Sequence, residues 1–381
     1  MSDSPRLTNP IPRAPLVGRD RELSELDDAL ARAVGEPGLQ CVTLLGGAGI
    51  GKGRVLGEFL QRVGQHEKTT RVFRGPVQKG GPMLGAIQRV LRTRFGISDS
   101  ATPEQARDKL REQVAELLDD RRVTEFLHFL GAYLDITFPE SPFTKALEGD
   151  ADQLGRISRA VLRRFLEADA KNGPVVITFE GLEDADDEVI DLVSYLETTV
   201  TEAPVLFVVT ARPELLARRP SFTDGPRHAR IELAPLGPDH AAELVRALLA
   251  PTGDPPDDLV EAAVDMAGGS PYLLEQMVRT FLDTATLLPQ DDGSWEVDLD
   301  KLEDAELPLS VDDAIAARIS AMTPPERALL ERAASMGACS GSARWSRSGA
   351  STRTRRRCGA GPSKPPRTSA TCSSRSRSAT T

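Results

Sequence analysis

The octapeptide Gly46-Gly47-Ala48-Gly49-Ile50-Gly51-Lys52-Gly53 lies between an apolar run, residues 39–45, and an amphipathic run, residues 55–63. A strand, a curled loop and a helix in that order leave the chain few folds. Glycines at this spacing let successive backbone N–H groups point inward at phosphate oxygens. The helix that starts near Lys52 adds its positive N-terminal end. Lys52 then reaches the outer phosphates of a nucleoside triphosphate as a point charge. Val55, Leu56, Phe59, Leu60 and Val63 fall on one helical face and suit packing against a sheet. The pattern G-x-x-x-x-G-K-[ST] is met at every fixed position except the last. There Gly53 stands in place of the hydroxyl that helps hold magnesium.

The apolar runs 39–45, 71–74, 175–179, 205–210 and 231–233 read as strands, and helical patterns separate most of them. This alternation predicts an α/β fold, a parallel five-stranded sheet with helices on both faces. Residues 1–15 read as a flexible lead and 16–236 as the nucleotide-binding domain, with a helical insertion at about 83–170. Residues 237–304 read as a helical block containing 238–249, 256–267 and 271–282, with a hairpin around Asp291-Asp292-Gly293-Ser294. Two more helices are expected at 311–322 and 325–336.

From Cys339 the composition changes. Residues 339–381 contain no Leu, Ile, Val, Phe or Met, and from Gly341 onward all ten charged residues are Lys or Arg. Such a segment buries too little apolar surface to order itself. It reads as a disordered basic tail, or as translation in a shifted frame. The rest of the chain is correspondingly more acidic than the net charge of −10 suggests, which argues against nucleic-acid binding by the folded part. No cysteine sits in a C-x-x-C pair, so spacing indicates neither a disulfide framework nor a zinc site. Cys41 reads as a small buried hydrophobe, and His66, His128, His228 and His240 as ordinary positions. The start of the chain lacks an apolar signal region, and no apolar run approaches the ~20 residues that span a bilayer. A cytoplasmic protein is expected.

Two further motifs complete the expected site. The third strand ends in Phe179-Glu180-Gly181-Leu182-Glu183-Asp184, which offers Glu180 as a magnesium ligand and Glu183 or Asp184 to orient and activate an attacking water. The fourth strand ends in Thr210-Ala211-Arg212, which aims Arg212 at the γ-phosphate.

Taken in order, these motifs resemble the STAND class of AAA-type P-loop ATPases, and in particular the ATPase module of large bacterial multidomain regulators. The resemblance covers residues 16–337. Leu16-Val17-Gly18-Arg19-Asp20 resembles the motif that opens the family's domain beside the adenine, so Val17 and Arg19 are implied as cofactor-binding. Glu180 to Asp184 resembles the second motif, with Glu in place of its first Asp. Thr210-Ala211-Arg212 resembles the sensor motif. Gly269-Ser270-Pro271 resembles the lid motif, whose proline touches the base. The resemblance implies ATP or ADP with Mg2+ as cofactors, a helical lid at 237–304, and a truncated winged-helix start at 305–338. Protein partners or self-association are expected, and, from the lack of a long apolar run, no membrane. Two functions follow. One is a nucleotide-dependent signalling switch with slow ATP hydrolysis. The other is a hydrolysis-dead scaffold that binds nucleotide and acts through protein contacts. Gly53 favours the second; Lys52, Glu183 and Arg212 favour the first.

Overall fold

The computed structural model describes residue 12 and residues 14–335, apart from 37, 67–68, 118–119, 139–140, 142, 144–150, 299–300 and 302–309. The expected tail at 339–381 and most of the expected lead lie outside the described residues.

The first strand, β1 (Gln40–Leu45), is buried at every position, as expected of an uninterrupted apolar run at the centre of a sheet. It pairs in parallel with β4 (Val205–Ala211) and β5 (His228–Glu232). β3 (Val175–Glu180) joins β4 to the edge strand β2 (Arg71–Pro76), which gives the order β2-β3-β4-β1-β5. Pro76 closes the edge strand, where no ladder donor is needed on its outer side.

Register carries the functional consequence. Leu45 pairs with Ala211, and Glu180 pairs with Thr210. The loops that follow β1, β3 and β4 therefore emerge side by side at the C-terminal edge of the sheet. That edge is where open α/β sheets bind ligands.

Helices cover both faces. On one, α1 (Asp20–Gly35) and α2 (Lys52–His66) bury Leu23, Leu26, Leu30, Val55, Leu56 and Phe59 against Val42, Leu44 and Val208. The other face carries α3 (Gly85–Arg94), α4 (Pro103–Leu117), α5 (Asp120–Leu134), α6 (Ala151–Asp169) and α7 (Asp187–Thr199). Phe95, Phe165, Phe179, Phe207 and Val193 share the core of that face. Asp169, 1% exposed, is held there by Arg71 at 2.9 Å and by Arg94 at 2.8 Å, so its charge is paired where water is excluded. The short helix α8 (Glu214–Arg218) follows β4.

The chain then builds a helical block with its own core. α9 (Pro238–Leu248), α10 (Asp257–Ala267) and α11 (Pro271–Asp283) pack with the hairpin β6 (Leu287–Pro289)–β7 (Trp295–Val297). Val245, Leu248, Val260, Leu274, Met277, Phe281 and Trp295 fill it, and Val17 joins them from the start of the domain. α12 (Val311–Ala321) and α13 (Pro324–Ser335) complete the described residues.

This is an α/β P-loop NTPase fold. It differs locally from the sequence expectation. β5 starts at His228, three residues before the apolar run at 231–233. The His228 ring is drawn inward by Thr43 and Glu197, so a polar residue occupies a buried strand position. α8, five residues long, was too short to show a period.

Candidate functional site

The loop after β1 has the backbone its glycines were expected to allow. Gly49 and Gly51 take φ of 76° and 100°, values that side chains with a Cβ rarely adopt. A Cβ on Gly47 would meet no heavy atom within 4 Å. Lys52, the first residue of α2, folds back across the loop. Its Nζ donates to the Gly46 and Gly47 carbonyls at 2.6 and 2.8 Å. Loop, ammonium and helix N-terminus thus converge as a phosphate site requires.

The carboxylate nearest this cation in effect is Glu183. Burial lowers the Lys52 pKa, while Glu183 and then Glu214 oppose the shift and Arg212 adds to it. Arg212 Nε donates to Glu183 Oε1 at 2.7 Å, and its Nη2 lies 3.4 Å from Asp184, a long contact. The Glu183 hydrogen bond is the main cause holding the Arg212 pKa above its usual value. Glu183 Oε2 is buried without a hydrogen-bond partner among the described residues. Lys52, Glu183, Asp184 and Arg212, expected from three separate motifs, therefore form one electrostatic cluster. Glu214, at the start of α8, joins it and had no signal in the sequence beyond following Arg212 and Pro213.

Glu180 ends β3 as expected but is not an open ligand. Arg74 of β2 donates Nε and Nη2 to its two oxygens at 2.9 Å each. A Cβ on Gly53 would meet no heavy atom within 4 Å, so the position has room for a hydroxyl and none to offer. Magnesium held through protein groups needs oxygen donors free to face it. Gly53 thus lacks the hydroxyl, as its sequence shows, and Glu180, the expected Mg2+ ligand, is paired with Arg74.

The other expected residues frame the loop. Arg19 is 5% exposed, and its guanidinium is spent on protein: Glu22 at 3.0 Å, the Ala234 carbonyl at 2.7 Å and the Ile50 carbonyl at 3.4 Å. It ties the opening motif to the loop and to the segment after β5, rather than offering a free cation to a ligand. Val17 is buried against the helical block. Gly18, at φ 63°, lets the backbone pass His240, whose ring atoms would lie 2.6 Å from an added Cβ.

Gly269-Ser270-Pro271 and the start of α11 reach the loop. Ser270 caps α11 by accepting from the Leu273 N–H at 3.4 Å, with Pro271 at the first helical position. The Tyr272 N–H donates to the Gly49 carbonyl at 3.2 Å. A Cβ on Gly49 would press on Tyr272, Val311 and Ser270 at 3.0–3.2 Å, and one on Gly51 would stand 3.9 Å from Pro271. Ala48 and Ile50 complete the loop, with Ile50 buried.

Among the described residues no helix is long and apolar enough to cross a membrane.

Comparison with known proteins places these observations. The sequence profile of the AAA ATPase domain matches residues 15–209, just over half of the 381-residue chain. An uncharacterized protein of Rhizobium meliloti (strain 1021) is 26% identical over 279 residues, which cover 70% of this chain. The chain spans only 25% of the length of that relative. Among solved structures, Cdc6p from Pyrobaculum aerophilum is similar with a TM-score of 0.43 and 15% identity, over 74% of this chain and 65% of that one. A Drosophila ORC structure, determined bound to DNA, is similar with a TM-score of 0.47 and 14% identity, over 85% of this chain and 68% of that one.

Proposed function

The chain belongs to the AAA ATPase domain family, and from that premise we propose that it is an ATP- and ADP-binding switch whose hydrolysis is slow. The observation that carries this reading is the contact between Tyr272 and Gly49. A phosphate group seated in the curl touches the same loop whose carbonyl holds α11. Nucleotide and helical block then compete for, or share, one backbone conformation.

In this reading Lys52 and the amides of Gly47 to Gly53 bind the phosphates. Lys52 exchanges its loop carbonyls for phosphate oxygens. Arg212 bears on the outermost phosphate, and its release or retention of Glu183 reports whether that phosphate is there. Glu183, with Asp184 beside it, accepts from the attacking water. Pro271 sits at the base, and Val17 and Arg19 shape the adenine side. Mg2+ supplies charge neutralisation to the family's nucleotides, but no step here is routed through it. Residues 16–236 act as the nucleotide-binding domain, 237–304 as its lid and 305–338 as the start of a winged helix. This is the arrangement of STAND-class modules in multidomain regulators, which act through protein partners or self-association.

A second reading has specific support. Gly53 offers the metal no hydroxyl and Arg74 competes for Glu180, which favours a nucleotide-binding scaffold without turnover.

Hydrogen exchange at the Tyr272 amide tests the switch. Saturating ATP and saturating ADP are expected to give different protection at Tyr272 and along α11. Both nucleotides binding while this exchange stays unchanged would show that loop and lid are uncoupled.

A further inference from the structure

A second polar cluster lies at the opposite, N-terminal edge of the sheet. Cys41 is the second residue of β1 and pairs in register with His228, the first of β5. Glu197, near the end of α7, reaches down onto them. The Cys41 sulfur, a His228 ring nitrogen and a Glu197 oxygen all lie within 4.8 Å of one another. The His228 side chain is fully buried, and Cys41 and Glu197 are 1% and 6% exposed.

The detail of the cluster is that of a built site. His228 Nδ1 stands 3.1 and 3.0 Å from the two Glu197 oxygens, so both face the ring. Nε2 lies 2.7 Å from the Thr43 hydroxyl; with Nε2–H donating there, Nδ1 can give up the proton it shares with Glu197 and turn its lone pair to a metal. Phe222 stands edge-on to the His228 ring at 5.3 Å and walls off water. A Cβ on Gly225 would come within 2.2 Å of Glu197 Oε1, so only glycine admits the carboxylate there.

A carboxylate this deep needs compensation. In the metal-free protein the His228 ring, 3.0 Å away, supplies part of it. A divalent cation held by all three side chains would supply the rest. One thiolate, one carboxylate and one neutral imidazole around a dication sum to zero charge, the condition under which a dry interior tolerates ions. Thiolate with imidazole selects a thiophilic metal over magnesium or calcium.

We propose that Cys41, His228 and Glu197 form a closed structural zinc site, with Glu197 able to offer both oxygens. On loading, the Cys41 S–H bond breaks, the sulfur binds the metal and the proton leaves to solvent. The ion would clamp the edge strand β5 and α7 to β1, on the strand that ends in the phosphate loop. No C-x-x-C spacing signals it, because its ligands come from positions 41, 197 and 228.

Cobalt(II) is the probe, added to the full chain in place of zinc. One equivalent is expected to survive dialysis and to show sulfur-to-cobalt charge-transfer absorption, displaced by zinc. Cysteines 339, 358 and 372 offer competing thiolates, so two variants assign the band. It should persist when those three are changed to serine and vanish in Cys41→Ser. Zinc should also raise the Tm of the parent, with no matching change in ATP affinity. Absence of retained cobalt in the parent, or a thiolate band that survives Cys41→Ser, would overturn the proposal and leave a metal-free hydrogen-bonded triad. Neither outcome bears on nucleotide binding, which is measured separately.

Discussion

Arg74 grips Glu180 from the neighbouring strand, with Nε and Nη2 each 2.9 Å from a carboxylate oxygen. The acidic residue that ends β3 is therefore matched by a fixed cation. Because Gly53 also lacks a hydroxyl, ATP affinity in magnesium is expected to lie within about threefold of that in EDTA, a difference under about 1 kcal/mol. Arg74→Gln frees the carboxylate and should make binding metal-sensitive. Calorimetry on both proteins checks this, and a parent whose ATP binding collapses in EDTA would refute it.

Gly53→Ser places a hydroxyl where an added Cβ meets nothing within 4 Å. Phosphate release is expected to rise roughly tenfold as a metal ligand is regained. Helix propensity in the first turn of α2 also improves, by up to about 0.5 kcal/mol. Brisk turnover by the parent with no gain in the variant would show that the hydroxyl was never limiting.

Arg212→Ala removes the 2.7 Å partner of Glu183. The preference for ATP over ADP should fall about tenfold, or 1.4 kcal/mol, with ADP affinity nearly unchanged. Equal loss of both nucleotides in a competition assay would assign Arg212 a purely structural part.

Burial lowers the Lys52 pKa from its ordinary value. The charged form makes the phosphate contact. Nucleotide affinity should therefore hold below that lowered pKa and weaken as pH rises through it, earlier than an ordinary lysine would dictate. Binding on the alkaline side should take up protons, seen as a buffer-dependent calorimetric enthalpy. A flat affinity across the alkaline range would contradict it.

Much of this was legible in the sequence, for identifiable reasons. The buried run before Gly46 and the glycines after it are contiguous, so strand, loop and helix follow from local chemistry alone. The motifs around Glu183 and Arg212 each end a strand, and parallel register brings strand ends together. What the sequence concealed depends on pairs far apart in it. Arg74 and Glu180 are 106 residues apart and share no period. His228 read as an ordinary position because its inward turn depends on Thr43 and Glu197, on other elements. Arg19 stood as cofactor-binding on the resemblance of its motif alone, because its carbonyl acceptors, at Ile50 and Ala234, leave no side-chain signature.

The central claim is that Lys52 and the loop amides bind nucleotide phosphates. Titration calorimetry of ATP and ADP into the full chain and into Lys52→Ala tests it most directly. The variant should bind at least tenfold more weakly, a loss of about 1.4 kcal/mol, with unchanged circular dichroism. Equal affinity of variant and parent would contradict the account.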